Sequence, residues 1–443
     1  MRNRAGTSKV YIVSLVVFLL YFLFIPRVAM EHRPAGDEPE YLRTAESLLR
    51  DHDLDISNNL SYTRFPGTRA EFEFSDAAGM YVERVSRDLP VHNIGLPVMI
   101  LPAYALAGRL GSMLVVAIAM LLAVYNLGAL ALEMTGDDKS AALAALAAGV
   151  TVPCFFYSFE LYPAAPSLAL EVYVIRRLLG GGNRAAAGIA LAALPWLHYR
   201  YVFFIPFVAL LMFVVLRKRD AREYAAVFLP SLLSLSLLGV FQYSVFGGFV
   251  LFEVEHGRLG RQLTGLAGLL FDQEFGLLVY APYYLLAPVG ASLMRGRSRV
   301  ALVFIALIFL FQYSQFALHA SWWGDWSPTG RRHVEYVPLL VVPIAYALGR
   351  GGRLFRAVFA ALFALSLAAS LVTAAFPHQL LINEGNGVAK LFSYFDALNW
   401  MRHVFPSLKA GGPGNWLLAG VWACVFAALN VFMIKRKPDR TTE

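Results

Sequence analysis

Long apolar runs broken by short charged loops dominate the chain. Stretches long enough, or nearly so, to span a membrane fall at 10–30, 112–133, 141–158, 161–179, 185–197, 201–216, 224–246, 274–294, 300–318, 334–349, 357–376 and 414–434. A helix crosses a bilayer in about twenty apolar residues, so the shorter runs must borrow from their loops. A further apolar stretch, Ile94 to Ala107, carries Pro97 and Pro102. Two prolines weaken so short a span, and this stretch is expected to lie in the interface or to be re-entrant. The expected architecture is an all-α polytopic membrane protein of about twelve transmembrane helices. Both termini are cytoplasmic, and a first outer loop, 31–111, holds amphipathic, interfacial helices.

Charge sets the orientation. With the N-terminus inside, Arg176-Arg177 and Arg184, Arg217-Lys218-Arg219 and Arg222, Arg295 to Arg299, Arg350 to Arg356, and Lys435-Arg436-Lys437 all fall in inner loops. The positive-inside rule asks for this, and counting 94–107 as a full span would reverse every later loop. The 9 histidines then face outward. So do Trp322, Trp323, Trp326, Trp400 and the long loops 31–111, 247–273 and 377–413. Long loops collect polar residues in any protein, but a functional outer face accounts better for the sum.

Composition agrees. The chain is 58% hydrophobic and 15% charged, against about a quarter charged in soluble domains. The formal charge of +8 does not make a nucleic-acid binder, because the basic residues punctuate apolar segments and form no surface stripe. Cys154 and Cys424 both lie in apolar segments, which is neither a disulfide framework nor a zinc site. The first apolar run ends in Pro26-Arg27-Val28-Ala29-Met30, a poor cleavage site, so a retained first helix is expected. Residues 1–443 read as one transmembrane domain with no separate soluble domain.

Four constellations could carry chemistry. Gly36-Asp37-Glu38-Pro39-Glu40-Tyr41 opens the first outer loop, followed by an amphipathic helix with Tyr41, Leu42, Ala45, Leu48 and Leu49 on one face. A carboxylate here could take a proton from an acceptor hydroxyl or help bind a divalent cation, magnesium or manganese. Equally, Asp37 is a good N-cap, with Glu40 completing a capping box. The segment from His319 to His333 holds Trp322, Trp323, Arg331 and Arg332; indole faces suit sugar rings and paired arginines suit phosphate. An aromatic belt beside lipid headgroups is the plain alternative. His198 and Arg200, in a short turn between two spans, could reach a lipid phosphate or merely snorkel. His256 and Arg258 could add phosphate contacts, or belong to a solvated loop. Glu171 lies mid-span, where a carboxylate is costly and faces protein. No Walker loop, dinucleotide fingerprint, zinc motif or hydrolase elbow stands out.

The block Gly36-Asp37-Glu38-Pro39-Glu40-Tyr41-Leu42, behind an N-in first helix and ahead of His92-Asn93-Ile94-Gly95-Leu96-Pro97, resembles the GT-C superfamily. These membrane glycosyltransferases use polyprenyl-phosphate-linked donors and include protein O-mannosyltransferases and the lipid A aminoarabinose transferase. The resemblance is closest over 10–180. More loosely, Tyr162-Pro163 and Trp322-Trp323-Gly324 with Arg331 resemble elements of bacterial members. It implies that Asp37 is the catalytic or metal-assisting carboxylate and Glu38 its support. Transfer would run to an envelope glycan, lipid or protein on the outer face of the inner (plasma) membrane. By chemistry alone, His198, Arg200, His256, Arg258, Arg331 and Arg332 are candidates for the donor phosphate, and Trp322 and Trp323 for the sugar. The expected partners are the polyprenyl-phosphate donor, the acceptor and membrane lipids. A soluble C-terminal domain found in many relatives is not expected here. A glycolipid flippase and a noncatalytic scaffold of an envelope-glycan complex remain as other readings.

Overall fold

The computed structural model describes residues 6–56, 59, 89–90, 92–218, 220–248 and 262–436. Its regular structure is helical, and one isolated bridge, Pro328 to Ile382, is the sole β pairing among the described residues. Helix α1 (Gly6–Glu31) carries the first apolar run. Helix α2 (Glu38–Arg50) begins with a proline at its first turn beside Glu38 and Glu40, and ends on Arg50. Acids at the start and a base at the end both oppose the helix dipole.

Helix α3 (Gly95–Thr135) breaks at Ala107 and Gly108. Gly108 has φ of 56° and ψ of −136°, a conformation that strains any side chain and so reserves the position for glycine. This break falls where the sequence separates the Ile94–Ala107 stretch from the span beginning at 112.

Helices α4 (Asp138–Gly149), α5 (Ala164–Gly180), α6 (Arg184–Leu197), α7 (Tyr201–Val214) and α8 (Ala221–Phe246) follow. Asp137, Asn183 and Asp220 cap three of them through side-chain oxygens, as short acceptors do at helix starts. Beyond the loop come α9 (Gln262–Phe271), α10 (Leu277–Tyr280), α11 (Ala287–Leu293) and α12 (Gly296–Ala317). The last are α13 (Val341–Arg350), α14 (Gly352–Ala375), α15 (Pro377–Leu380), α16 (Lys390–Tyr394) and α17 (Pro413–Lys435).

Six of the described helices are long and apolar enough to cross a membrane: α1, α3, α8, α12, α14 and α17. Shorter apolar helices cover other expected spans, among them α6 and α7. The stretch expected at 274–294 is divided among α10, a 3-10 turn at Pro282–Leu286 and α11, because prolines inside it remove helix donors.

The chain forms two compact units. Unit 1 comprises Met1–Tyr21, Val124–Tyr157 and Gly257–Glu443, and unit 2 comprises Phe22–Ala123 and Ser158–His256. In unit 2, α6 packs along α8, and the Trp196 indole donates to Ser234 Oγ at 2.9 Å. In unit 1, α11 packs on α13, which also lies against α4. Apolar side chains such as Leu229, Leu232 and Val240 remain largely exposed on the long helices, as expected of surfaces meant for lipid.

Candidate active site

Asp37 sits in unit 2 where the chain leaves the first helix and enters α2. Its side chain makes no capping hydrogen bond to that helix, so the capping alternative is not how this carboxylate is used. Its position is held through the backbone: Asp37 N–H donates to the Tyr162 hydroxyl at 3.2 Å, and that hydroxyl donates to Ala35 C=O at 3.2 Å. Asp37 Oδ2 lies 3.8 Å from His92 Nε2, with Glu40 Oε2 on the same imidazole nitrogen at 3.9 Å. Glu40 completes no capping box here; it accepts the His92 backbone N–H at 2.9 Å. The His92 ring stacks on Tyr41 at 5.0 Å.

Behind Asp37 lies a fully buried ionic core. Glu38, 0% exposed, accepts from Arg109 Nη2 at 3.2 Å and from the Leu161 N–H at 2.6 Å. Arg109 also donates to His32 C=O at 2.6 Å. Glu160, in the turn ahead of α5, is 0% exposed, and neither of its oxygens meets an amide or hydroxyl donor. Burial, reinforced by the charge of Glu38, pushes the Glu160 carboxyl well above the usual carboxylate range, with Arg109 opposing. Glu38 is engaged on both oxygens, whereas Asp37, 6% exposed, faces a titratable ring at the edge of the cluster. Sequence reasoning missed Glu160 and Arg109. A lone charge in an apolar stretch was the signal for both.

The same end of unit 2 carries the turn with His198 and Arg200. Asn93 Nδ2 donates to Pro195 C=O at 2.6 Å, and Gly95 lies so close to the Trp196 carbonyl that a Cβ there would collide with it. The segment after His92 is thus clamped to the segment before His198. His198 Nδ1 accepts the Arg200 N–H at 3.2 Å, and the Arg200 guanidinium lies 5.1 Å over the Tyr201 ring.

The other described candidates belong to unit 1. Trp322 is 3% exposed and fills the space above Gly268, edge-on to Phe275. A buried indole cannot stack on a sugar, so that expectation passes to Trp323, which carries Lys409 Nζ 4.5 Å over its ring. Arg331 donates to Gly324 C=O at 3.2 Å, and Arg332 to Ser321 C=O at 3.3 Å. Beside them, burial and then the charge of Arg332 bring His319 down to about 4. His256 and Arg258 lie outside the described residues.

Unit 1 has buried carboxyls of its own. Asp272 accepts from the N–H groups of Glu274, Phe275, Leu408 and Lys409. Glu274, in the turn before α10, accepts from Gly385 and Gly387 at 2.9 and 2.7 Å. Burial raises both carboxyls, Glu274 to about 7 with Asp272 the next cause. Among the described residues no group of three or more His, Cys, Asp or Glu could hold a metal ion.

No protein-family model and no curated protein sequence matches the chain. Among solved structures it is similar to ArnT from Cupriavidus metallidurans in the apo state, with 17% identity and a TM-score of 0.53 over 95% of this chain and 77% of that one. It is also similar to ArnT from the same organism bound to undecaprenyl phosphate, with 15% identity and a TM-score of 0.52 over 98% and 79%. ArnT is a lipid A aminoarabinose transferase of the GT-C superfamily. The likeness is one of fold: this chain shares the helical fold of those ArnT structures.

Proposed function

We propose that the chain is a membrane glycosyltransferase that moves a sugar from a polyprenyl-phosphate donor to an acceptor hydroxyl. The acceptor is an envelope glycan, lipid or protein on the outer face of the inner membrane. The observation that carries this reading is Asp37: a carboxylate at the rim of a buried ionic core, next to His92 and not spent on helix capping. The ArnT-like fold supports it, since one of those ArnT structures holds undecaprenyl phosphate. In this reading the six long helices and the shorter apolar ones together make about twelve crossings, and the basic inner loops orient them.

The chemistry asks little of the protein. The acceptor oxygen attacks the anomeric carbon while the bond from that carbon to the phosphate oxygen breaks. Asp37 takes the acceptor proton, and the lipid phosphate leaves with the electron pair. Arg200, in the same unit, is the cation assigned to that phosphate. Glu38, Arg109 and Glu160 position Asp37 and touch no substrate. The described residues offer no three-ligand cage for magnesium or manganese. Turnover in EDTA that recovers only on adding either ion would make Asp37 a metal ligand; turnover indifferent to EDTA leaves it the base.

The test is to incubate the purified full chain with a panel of polyprenyl-phosphate sugars and an envelope extract, and to measure released lipid phosphate. Release from at least one donor, lost in Asp37→Asn, is expected. Release that persists in Asp37→Asn removes the base. No release from any donor favours the noncatalytic scaffold.

A further inference from the structure

A cleft of about 370 Å³ opens in unit 1 where α4, the end of α13 and the start of α14 meet. It plays no part in the proposed transfer. Its lining is polarised. On α14 the cleft is walled by Arg356, Phe359 and Phe363, spaced three and four residues apart and so on one helix face. The cation is nearest the helix start, and the two rings below it stack at 5.9 Å. On α4, Lys139 lies in the first turn and Leu143 one turn further in. Both helices thus run from charge to hydrocarbon away from the same end.

The acids nearby are already committed. Asp137 accepts from the N–H groups of Lys139 and Ser140 at 3.1 and 3.3 Å and from the Ser140 hydroxyl, which closes the α4 N-terminus. Asp138 pairs with Lys9 at 3.4 Å. Gly349 permits the approach of α13, since a Cβ there would press on the Asp137 carboxylate. Among the described residues no carboxylate forms an ion pair with Arg356. Arg350, lying over Tyr346 at 4.8 Å, adds charge at the same end of the unit.

We infer that this cleft binds an anionic phospholipid, with its phosphate between Lys139 and Arg356 and its acyl chain over Phe363 and Leu143. A soluble anion would be matched by the cations alone, but the floor is apolar and α14 is one of the helices able to span a bilayer. Leu143, on the cleft wall, is 39% exposed, so the apolar side of the cleft is open to the surroundings of the helices. By the distribution of basic loops this is the cytoplasmic leaflet, where anionic lipid and cationic side chains attract.

The test uses the full chain reconstituted in phosphatidylcholine nanodiscs with increasing fractions of phosphatidylglycerol. Native mass spectrometry after release then counts the lipids retained. Wild type should retain phosphatidylglycerol preferentially. Lys139→Gln with Arg356→Gln should lower that preference by about fivefold for each cation removed, with the melting temperature unchanged. Lys435→Gln with Arg436→Gln, the same loss of charge elsewhere, should keep it, and inorganic phosphate should not compete. Equal retention of the two lipids by wild type, a preference that survives the first pair, or an equal loss in the second pair would overturn the proposal. Competition by inorganic phosphate would make this a soluble-anion site and overturn it too.

Discussion

The two units both bury acidic residues, and they spend them differently. In unit 1, Asp272 and Glu274 are consumed by backbone: six N–H groups point at them, four at Asp272 and two at Glu274. Those amides belong to the turn after Asp272 and to the segments at 385–387 and 408–409, so the carboxylates act as knots tying loops together. In unit 2 the partners of Asp37, Glu38 and Glu160 are largely side chains, namely His92, Arg109 and a second carboxyl. Each Asp272 oxygen takes two amide donors and has no lone pair left for a reacting proton. A carboxylate facing a titratable ring does. The contrast is why the proposed transfer assigns the base to Asp37.

The largest expected effect tests that contrast at its sharpest point. Asp37→Asn keeps the volume and the backbone hydrogen bonds while removing basicity, so turnover should fall by about a hundred- to ten-thousandfold. Melting and expression should match the parent. Glu38→Gln should be milder in rate but should destabilise, because Arg109 would lose its buried partner. An Asp37→Asn protein that transfers sugar at the parental rate would remove Asp37 as the base.

Asp272→Ala comes next. It strands four buried amide donors, each worth about 1–3 kcal/mol when left unmade, so thermal unfolding in detergent should show a loss of several kcal/mol. Activity per folded molecule should hold. A variant as stable as the parent would mean those amides find water, and the brace reading would fail.

Arg200→Ala should weaken donor binding by about ten- to a hundredfold, the value of a charge-assisted contact of roughly 1.5–3 kcal/mol. Arg331→Ala is the matched change in the other unit. Equal donor affinity in both variants and the parent would strike both arginines from the site.

The smallest effect concerns acidity. Glu274 rises from 4.5 to about 7 on folding. A raised carboxyl stabilises fully below its unfolded value and loses that stabilisation as pH climbs through the folded one. Stability should therefore fall between about pH 4.5 and 7 more in the parent than in Glu274→Gln. His319, depressed to about 4, acts in the opposite direction, its contribution fading as pH drops below 6.5. Identical pH profiles for the parent and Glu274→Gln would show that Glu274 titrates normally.

Much of the fold was legible because membrane helices announce themselves in runs of apolar residues. The break at Ala107-Gly108 was visible through Pro97, Pro102 and the charge pattern. Shorter helices were harder to bound, since apolar composition alone does not tell a full crossing from segments interrupted by Pro153, Pro163 or Pro282. Of the candidate site, Asp37 was legible from its place after the first span. The place of His92 was not, because its approach to Asp37 is tertiary. Glu160 and Arg109 stayed hidden for the same reason, because a single charge inside an apolar stretch names no partner. The capping alternative for Asp37 was sound by local rules and lost to Tyr162, a residue far along the chain. Trp322 misled because an indole reads the same on a surface as in a core.

Tyr162 grips the chain at Asp37 by the amide, a contact that does not depend on which side chain stands there. The address and the tool are therefore separate. Cysteine, serine, glutamate or glycine can be installed at 37 with the loop still anchored at Ala35 and at its own N–H. A glycine variant supplied with formate or azide from solution would ask whether an untethered base can take the seat. The position is in effect a socket, and the protein can be refitted there without being rebuilt.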